Sequence, residues 1–368
     1  MSRKTNVIVG AAGVAVTGLA VAGVAAKRIL IERARRRGDP EAGADFARTA
    51  ALEPQWIEMD DGACLKVVQR GSGRPIVLVH GMALSSVSWT YQLEDLAGEG
   101  RVIAYDQRGH NDSTLGADGL NLTRLASDLY ELFERLDLRA AVLVGHSLGG
   151  MVVLRMLADH PELAGDDGRV AALGLVATSA SPGLGSGVPG AKAILRAVKP
   201  LTTRGGWVTG RLSGQTLPTS DVSFLLARAV FGAKPDGAHI DLTREISSRI
   251  PIQVTADLTL EILHLDQEST LCDIALPTAI VVGSRDLMTP VRHARALARS
   301  IPSASLVELP GCGHMVMLER RYELDDIIRG LLRGDAGGGA KVDAGGGAKV
   351  DAGRDSGVGG DRDVTDGP

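Results

Sequence analysis

Short, unbroken apolar runs recur along the middle of the chain, at 75–80, 101–105, 140–145, 170–178, 279–283 and 305–309, and stretches with helical spacing separate most of them. A strand with one wet face alternates apolar and polar residues, whereas a continuous Val/Ile/Leu run requires cover on both faces. The pattern therefore predicts an α/β domain: a mostly parallel sheet flanked by helices on both sides. Residues 55–69 read differently, because Asp60-Asp61-Gly62 is a tight-turn signal between two strand-like pieces, and they predict an antiparallel hairpin at the sheet edge. From about 181 to 271 the rhythm breaks into Pro/Gly-rich loops and helix-like pieces at 222–231 and 257–264, which predicts an inserted helical cap.

The two ends carry other patterns. Val7 to Ala26 is a run of 20 residues without a charge, long enough as a helix to cross a hydrocarbon core of about 30 Å. It is a candidate membrane anchor, with a peripheral or soluble helix as the alternative. Arg3 and Lys4 precede it, while Lys27, Arg28, Arg33, Arg35, Arg36 and Arg37 follow, so the positive-inside bias predicts that the remainder faces the cytoplasm. The competing expectation is a cleaved secretory signal, which would leave a mature chain starting on a basic cluster that resists export. At the other end DAGGGAKV at 335–342 recurs at 343–350, in an apolar-poor tract that predicts a disordered tail from about Gly334. The expected organisation is an N-terminal segment at 1–37, a folded domain at 54–333 with its cap, and a Gly-rich tail at 334–368.

Composition narrows the function classes. Of 368 residues only three are Trp, four Tyr and four Phe, so the core must be filled by aliphatic side chains. A net charge of -4 and a pI near 6.1 leave no electrostatic footprint for nucleic acid. Cys64, Cys272 and Cys312 are odd in number and far apart, which fits neither a disulfide framework nor a zinc site. Cys312 lies two residues from His314 but lacks an activating turn, and it reads as buried filler.

One motif carries chemistry. Residues 141–144 form a strand-like run, Gly145-His146-Ser147-Leu148-Gly149 follows, and an apolar helix is expected at 151–158. Gly-x-Ser-x-Gly between strand and helix forces the serine into a strained turn that projects its Oγ, and the glycines are needed because side chains there would collide. A serine hydroxyl is a poor nucleophile until a base takes its proton, so a histidine and an orienting carboxylate must lie in later loops. The run at 305–309 leads into glycine-flanked His314, the expected base. The run at 279–283 leads into Asp286, the expected acid, with Asp257, Asp266 and Glu308 as alternatives. His146, His160, His239, His264 and His293 read as packing or surface histidines. A tetrahedral intermediate also needs two donors, expected from the backbone N–H groups of Leu148 and, after the run ending at His80, of Met82.

With HGM at 80–82, DQRGH at 106–110, GHSLGG at 145–150, GSRD at 283–286 and GCGHM at 311–315, residues 54–333 resemble the α/β-hydrolase superfamily. The resemblance implies a serine esterase or lipase-like enzyme that needs no metal or organic cofactor. Haloperoxidase-like perhydrolases, acyltransferases and carbon–carbon hydrolases share these motifs. Relatives that open epoxides or remove halides place Asp where this chain has Ser147. After DQRGH the family usually continues Gly-x-Ser, whereas Asn111-Asp112-Ser113 stands here; Asn can adopt the left-handed geometry of glycine. Asp106 and Arg108 read as loop-bracing charges. The expected activity is hydrolysis of small-molecule or lipid esters with small or apolar acyl groups, a preference suggested by the Leu/Ala/Val-rich cap and Met151. The opposing expectation, from a different class, is a non-catalytic ligand receptor or interaction module on the same fold.

Overall fold

The computed structural model describes residues 42–164, 168–182 and 221–334. The apolar segment at 7–26, part of the expected cap at 183–220 and the repeats beyond 334 lie outside these described residues. Among the described residues no helix is long and apolar enough to cross a membrane.

Eight strands, β1 (Gln55–Glu58), β2 (Cys64–Arg70), β3 (Pro75–Val79), β4 (Arg101–Tyr105), β5 (Ala141–His146), β6 (Val170–Val176), β7 (Thr278–Gly283) and β8 (Ala304–Leu309), form one sheet. Their spatial order is β1-β2-β4-β3-β5-β6-β7-β8. The expected edge hairpin is present: β1 pairs antiparallel with β2, and β2 antiparallel with β4. All other pairings are parallel. Each apolar run thus becomes a strand, and the ends move by a residue or two for local reasons. Ala140 and Ala177 have positive φ, which breaks the extended backbone just before β5 and just after β6.

β5 shows why these runs carry no alternation. Val142 and Val144 pack into one core with Ile76, Leu78, Trp89 and Leu324, while Ala141 and Leu143 enter the other with Val77, Ile103, Leu129 and Leu154. Helices pack on both faces of the sheet and above it: α1 (Ala42–Ala50), α2 (Thr90–Asp95), α3 (Leu122–Arg135), α4 (Leu148–Asp159), α5 (Asp221–Ala229), α6 (Gly237–Arg249), α7 (Ile252–Leu263), α8 (Val291–Ser300), α9 (Val316–Glu319) and α10 (Arg321–Arg333). The sequence pattern predicts no element at 42–50, yet Phe46 of α1 sits 5.8 Å, ring to ring, from both Tyr91 and His239. α10 stops at Gly334, whose φ of 80° is the left-handed helix end that glycine favours. Helices α5 to α7 fill the part of the expected cap that is described.

The loop after β4 is braced from beneath. Arg108 is fully buried and forks onto Asp128 at 2.6 and 2.7 Å and onto Asp61 at 2.8 and 3.0 Å. Asp106 accepts the Ser86 amide and the Asn111 side chain, and Asn111 takes the expected positive φ, at 47°. Removing the guanidinium leaves the two carboxylates with Arg124 alone, 3.1 Å from Asp128 and 3.8 Å from Asp61, so Arg108→Ala should cost about 3–5 kcal/mol in urea unfolding. A loss below 1 kcal/mol would contradict this bracing role.

Candidate active site

The turn between β5 and α4 is built by close approach of backbone. An ideal Cβ on Gly145 would lie 2.6 Å from the Gly149 oxygen, and one on Gly149 would lie 2.2 Å from the Val79 oxygen, so neither position tolerates a side chain. Ser147 itself has φ 53° and ψ −117°, a conformation that side chains rarely adopt. Its surroundings over-determine that strain. The Ser147 amide donates to Val176 O at 2.9 Å, and its carbonyl accepts from Thr178 Oγ1 at 2.6 Å and from the amides of Gly150 and Met151. Ser147 stands immediately before the first turn of α4, whose leading amides, Leu148 among them, have no partner within the helix. Their partial positive charge favours an anion at this point.

His314 and Asp286 meet from two different loops. His314 Nδ1 lies 2.8 Å from Asp286 Oδ2, so Nδ1–H donates to the carboxylate and Nε2 is left with its lone pair. The carboxylate is fully engaged: Oδ1 accepts the amides of Met288 and Thr289 at 2.8 and 2.9 Å, and Oδ2 also accepts the Thr289 hydroxyl at 2.8 Å. Burial raises the pKa of Asp286, but the field of His314 and these hydrogen bonds outweigh it, and the net shift is downward. His314 joins the elbow through the residue before the serine: His146 Nε2–H donates to the His314 carbonyl at 2.9 Å, with the two rings 4.8 Å apart. Ser147, Asp286 and His314 are all buried to a similar degree, at 5, 4 and 6 % exposure. The alternative acids are elsewhere. Asp257 and Asp266 are exposed, and Glu308 is held by Arg295 at 2.7 Å on the surface.

The loop after β3 completes the site. Gly81 packs against the elbow, since an ideal Cβ there would sit 3.2 Å from Ser147 Cβ and 2.8 Å from His146 Nδ1. His80 Nδ1–H donates to the Gly81 carbonyl at 2.7 Å, while its Nε2 accepts the Gln107 amide at 2.9 Å. Because the peptide unit is planar and trans, fixing the Gly81 carbonyl toward His80 turns the Met82 N–H to the opposite side. His110 Nε2 in turn accepts the Ala83 amide at 3.3 Å.

His80, His110 and His146 are each kept neutral, and burial is the main cause: His80 falls well below its usual range, His110 to about 4 and His146 to about 3. The unfolded chain takes up protons near pH 6.5 while these imidazoles stay neutral in the fold. Stability is therefore full above that value and declines as pH falls from about 6.5 toward 4, by up to about 1.4 kcal/mol per pH unit for each histidine. Melting temperatures should drop across this window, and His110→Gln should drop less steeply. An unchanged slope in the variant would contradict the assignment.

Several placements depart from the sequence reading. Met151, read there as favouring an apolar acyl chain, is 0 % exposed and belongs to the core, so it offers no surface to a ligand. α7 instead brings Thr259 Oγ1 to 3.6 Å from Met82 Sδ. After His314 the chain forms two helices, α9 and α10, with a break at Arg320. Cys312, by contrast, is buried as the sequence reading expected, and burial pushes its thiol pKa up, away from nucleophilic use. Thr289 and Thr178 escaped the sequence reading. Asp286-Leu-Met-Thr289-Pro290, with an acidic residue three before Thr at a helix start, is an Asx-turn pattern that could have revealed the first; the Thr178 contact spans two strands and leaves no local signal.

The chain belongs to the Alpha/beta hydrolase family, whose family model matches residues 76–326. It is 29% identical over 313 residues to the dihydrolipoyllysine-residue acetyltransferase component of the acetoin cleaving system of Pseudomonas putida, covering 83% of this chain and 75% of that protein. A segment of 101 residues is 41% identical to non-heme chloroperoxidase CPO-A1 of Kitasatospora aureofaciens, covering 27% of this chain and 37% of that one. Among solved structures, a thermophilic esterase from Thermogutta terrifontis superposes with a TM-score of 0.59 at 27% identity, covering 77% of this chain and 100% of that one.

Proposed function

We propose that the protein is a serine hydrolase that cleaves carboxylic esters with small or apolar acyl groups through an acyl-enzyme. The observation that carries this reading is the His314 ring, held by Asp286 in the tautomer whose Nε2 is free to accept a proton, on a loop bonded to the strained turn of Ser147. His314 takes the hydroxyl proton as Ser147 Oγ attacks the acyl carbon, forming a C–O bond and an oxyanion. The amides of Leu148 and Met82 hold that oxyanion. The tetrahedral centre collapses, the imidazolium hands its proton to the departing alkoxide, and the alcohol leaves. Water, deprotonated by the same imidazole, then attacks the acyl-enzyme; the bond to Ser147 Oγ breaks, the imidazolium returns its proton to that oxygen, and the acid leaves. Asp286 stabilises the imidazolium in both halves.

The likeness to a chloroperoxidase over 101 residues supports a second reading, in which hydrogen peroxide replaces water at the acyl-enzyme and a peracid leaves. Both readings are tested together by hydrolysis of p-nitrophenyl esters from acetate to laurate, set against peracid formation from acetate and peroxide. Ester turnover supports the proposal, dominant peracid formation favours the second reading, and neither activity contradicts both.

A further inference from the structure

Beyond the residues that meet substrate, one carboxylate joins the loop of His314 to the segment that follows α5. Glu319 Oε1 accepts the Gly313 amide at 2.9 Å, and Oε2 accepts the Gly232 amide at 2.8 Å. The two glycines lie against one another. An ideal Cβ on Gly313 would be 2.4 Å from the Gly232 nitrogen, and one on Gly232 would be 2.1 Å from the Gly311 oxygen. Two further bonds close the clasp: the His314 amide donates to Val230 O at 2.8 Å and the Ala233 amide to Gly311 O at 3.0 Å.

We infer that Glu319 is a positioning residue for His314, which is set in place only while residues 230–233 are docked on its loop. The two N–H donors meet two different oxygens of one rigid group, an arrangement that a carboxylate supplies. An amide side chain has one acceptor and would turn N–H toward N–H at the other position. Burial is the largest influence on the Glu319 carboxyl and shifts it upward on balance, against the two amides and the cations of Arg228 and Arg320, which pull it down. The buried Cys312 thiol is the other titratable group beside it. Gly313 precedes the base directly, so a shift of this loop moves His314 relative to both Ser147 and Asp286, and displacement of about 1 Å can cost as much as 100-fold in rate.

This inference rests on the reading of His314 as the base. Glu319→Gln is expected to lower kcat about 10- to 100-fold with KM changed less than about 2-fold, to slow fluorophosphonate labelling of Ser147 in parallel, and to broaden the downfield Nδ1–H proton of His314 in NMR spectra. Gly232→Ala, which pries the clasp apart from the side of α5, should reproduce the loss, and the double variant should be no worse than the poorer single. A variant that melts lower yet keeps wild-type kcat and an unchanged Nδ1–H signal would overturn the inference. Wild-type protein inert toward esters and probe would contradict the proposed function instead, and the Nδ1–H signal would still report whether Glu319 holds the ring.

Discussion

Ser147→Ala is expected to lower ester hydrolysis by at least about 10⁴-fold and to leave the fold intact. The fold survives because the bonds that hold the turn are made by backbone: the Ser147 amide to Val176, and its carbonyl to Thr178, Gly150 and Met151. Alanine keeps all of them and adopts the same φ with the same strain. What disappears is the only atom in this account that forms the acyl bond, so no partial rescue by Asp286 or His314 is available. Melting temperature should move by only a few degrees. A variant that retains more than about a tenth of wild-type kcat/KM would mean that the acyl group is never carried on Ser147.

Asp286→Asn is expected to cost about 10³- to 10⁴-fold in kcat, for a reason that lies in the tautomer of His314. Asparagine can place its carbonyl oxygen where Oδ1 now accepts the Met288 and Thr289 amides, so the turn should hold. Its NH2 then faces His314 Nδ1, where the carboxylate stood at 2.8 Å. The ring must respond by carrying its proton on Nε2, which leaves no lone pair for the serine hydroxyl. Steady-state kinetics should show the loss in kcat with KM little changed, and binding of a non-hydrolysable ester analogue should persist. Activity within tenfold of wild type would move the acid elsewhere in the chain, although Asp257, Asp266 and Glu308 all lie on the surface.

Much of this architecture was legible because the signals are local. An unbroken run such as Val142-Leu-Val144 demands cover on both faces, and a serine between glycines at the end of it demands a sharp turn. The later runs at 279–283 and 305–309 lead into a carboxylate and a histidine, which gives the order Ser147, Asp286, His314. The remainder depends on contacts between distant segments. Glu319 meets Gly232 across 87 residues, and Thr178 meets the Ser147 carbonyl across 31. Neither leaves a periodicity or spacing to read. Met151 misled because adjacency along the chain is not adjacency in space: on α4 it points into the core rather than toward the turn. Residues 42–50 were silent because one buried Phe46 in a short helix makes no pattern until Tyr91 and His239 are brought against it.

The central claim, that the geometry around Ser147 activates its hydroxyl, is tested most directly by covalent labelling with a fluorophosphonate probe, read by peptide mass spectrometry on the wild-type chain and on Ser147→Ala. An adduct is expected on the peptide that carries Ser147, absent from the variant. Wild-type protein that is folded and yet takes up no probe, or that carries it on another residue with Ser147 unmodified, would contradict it.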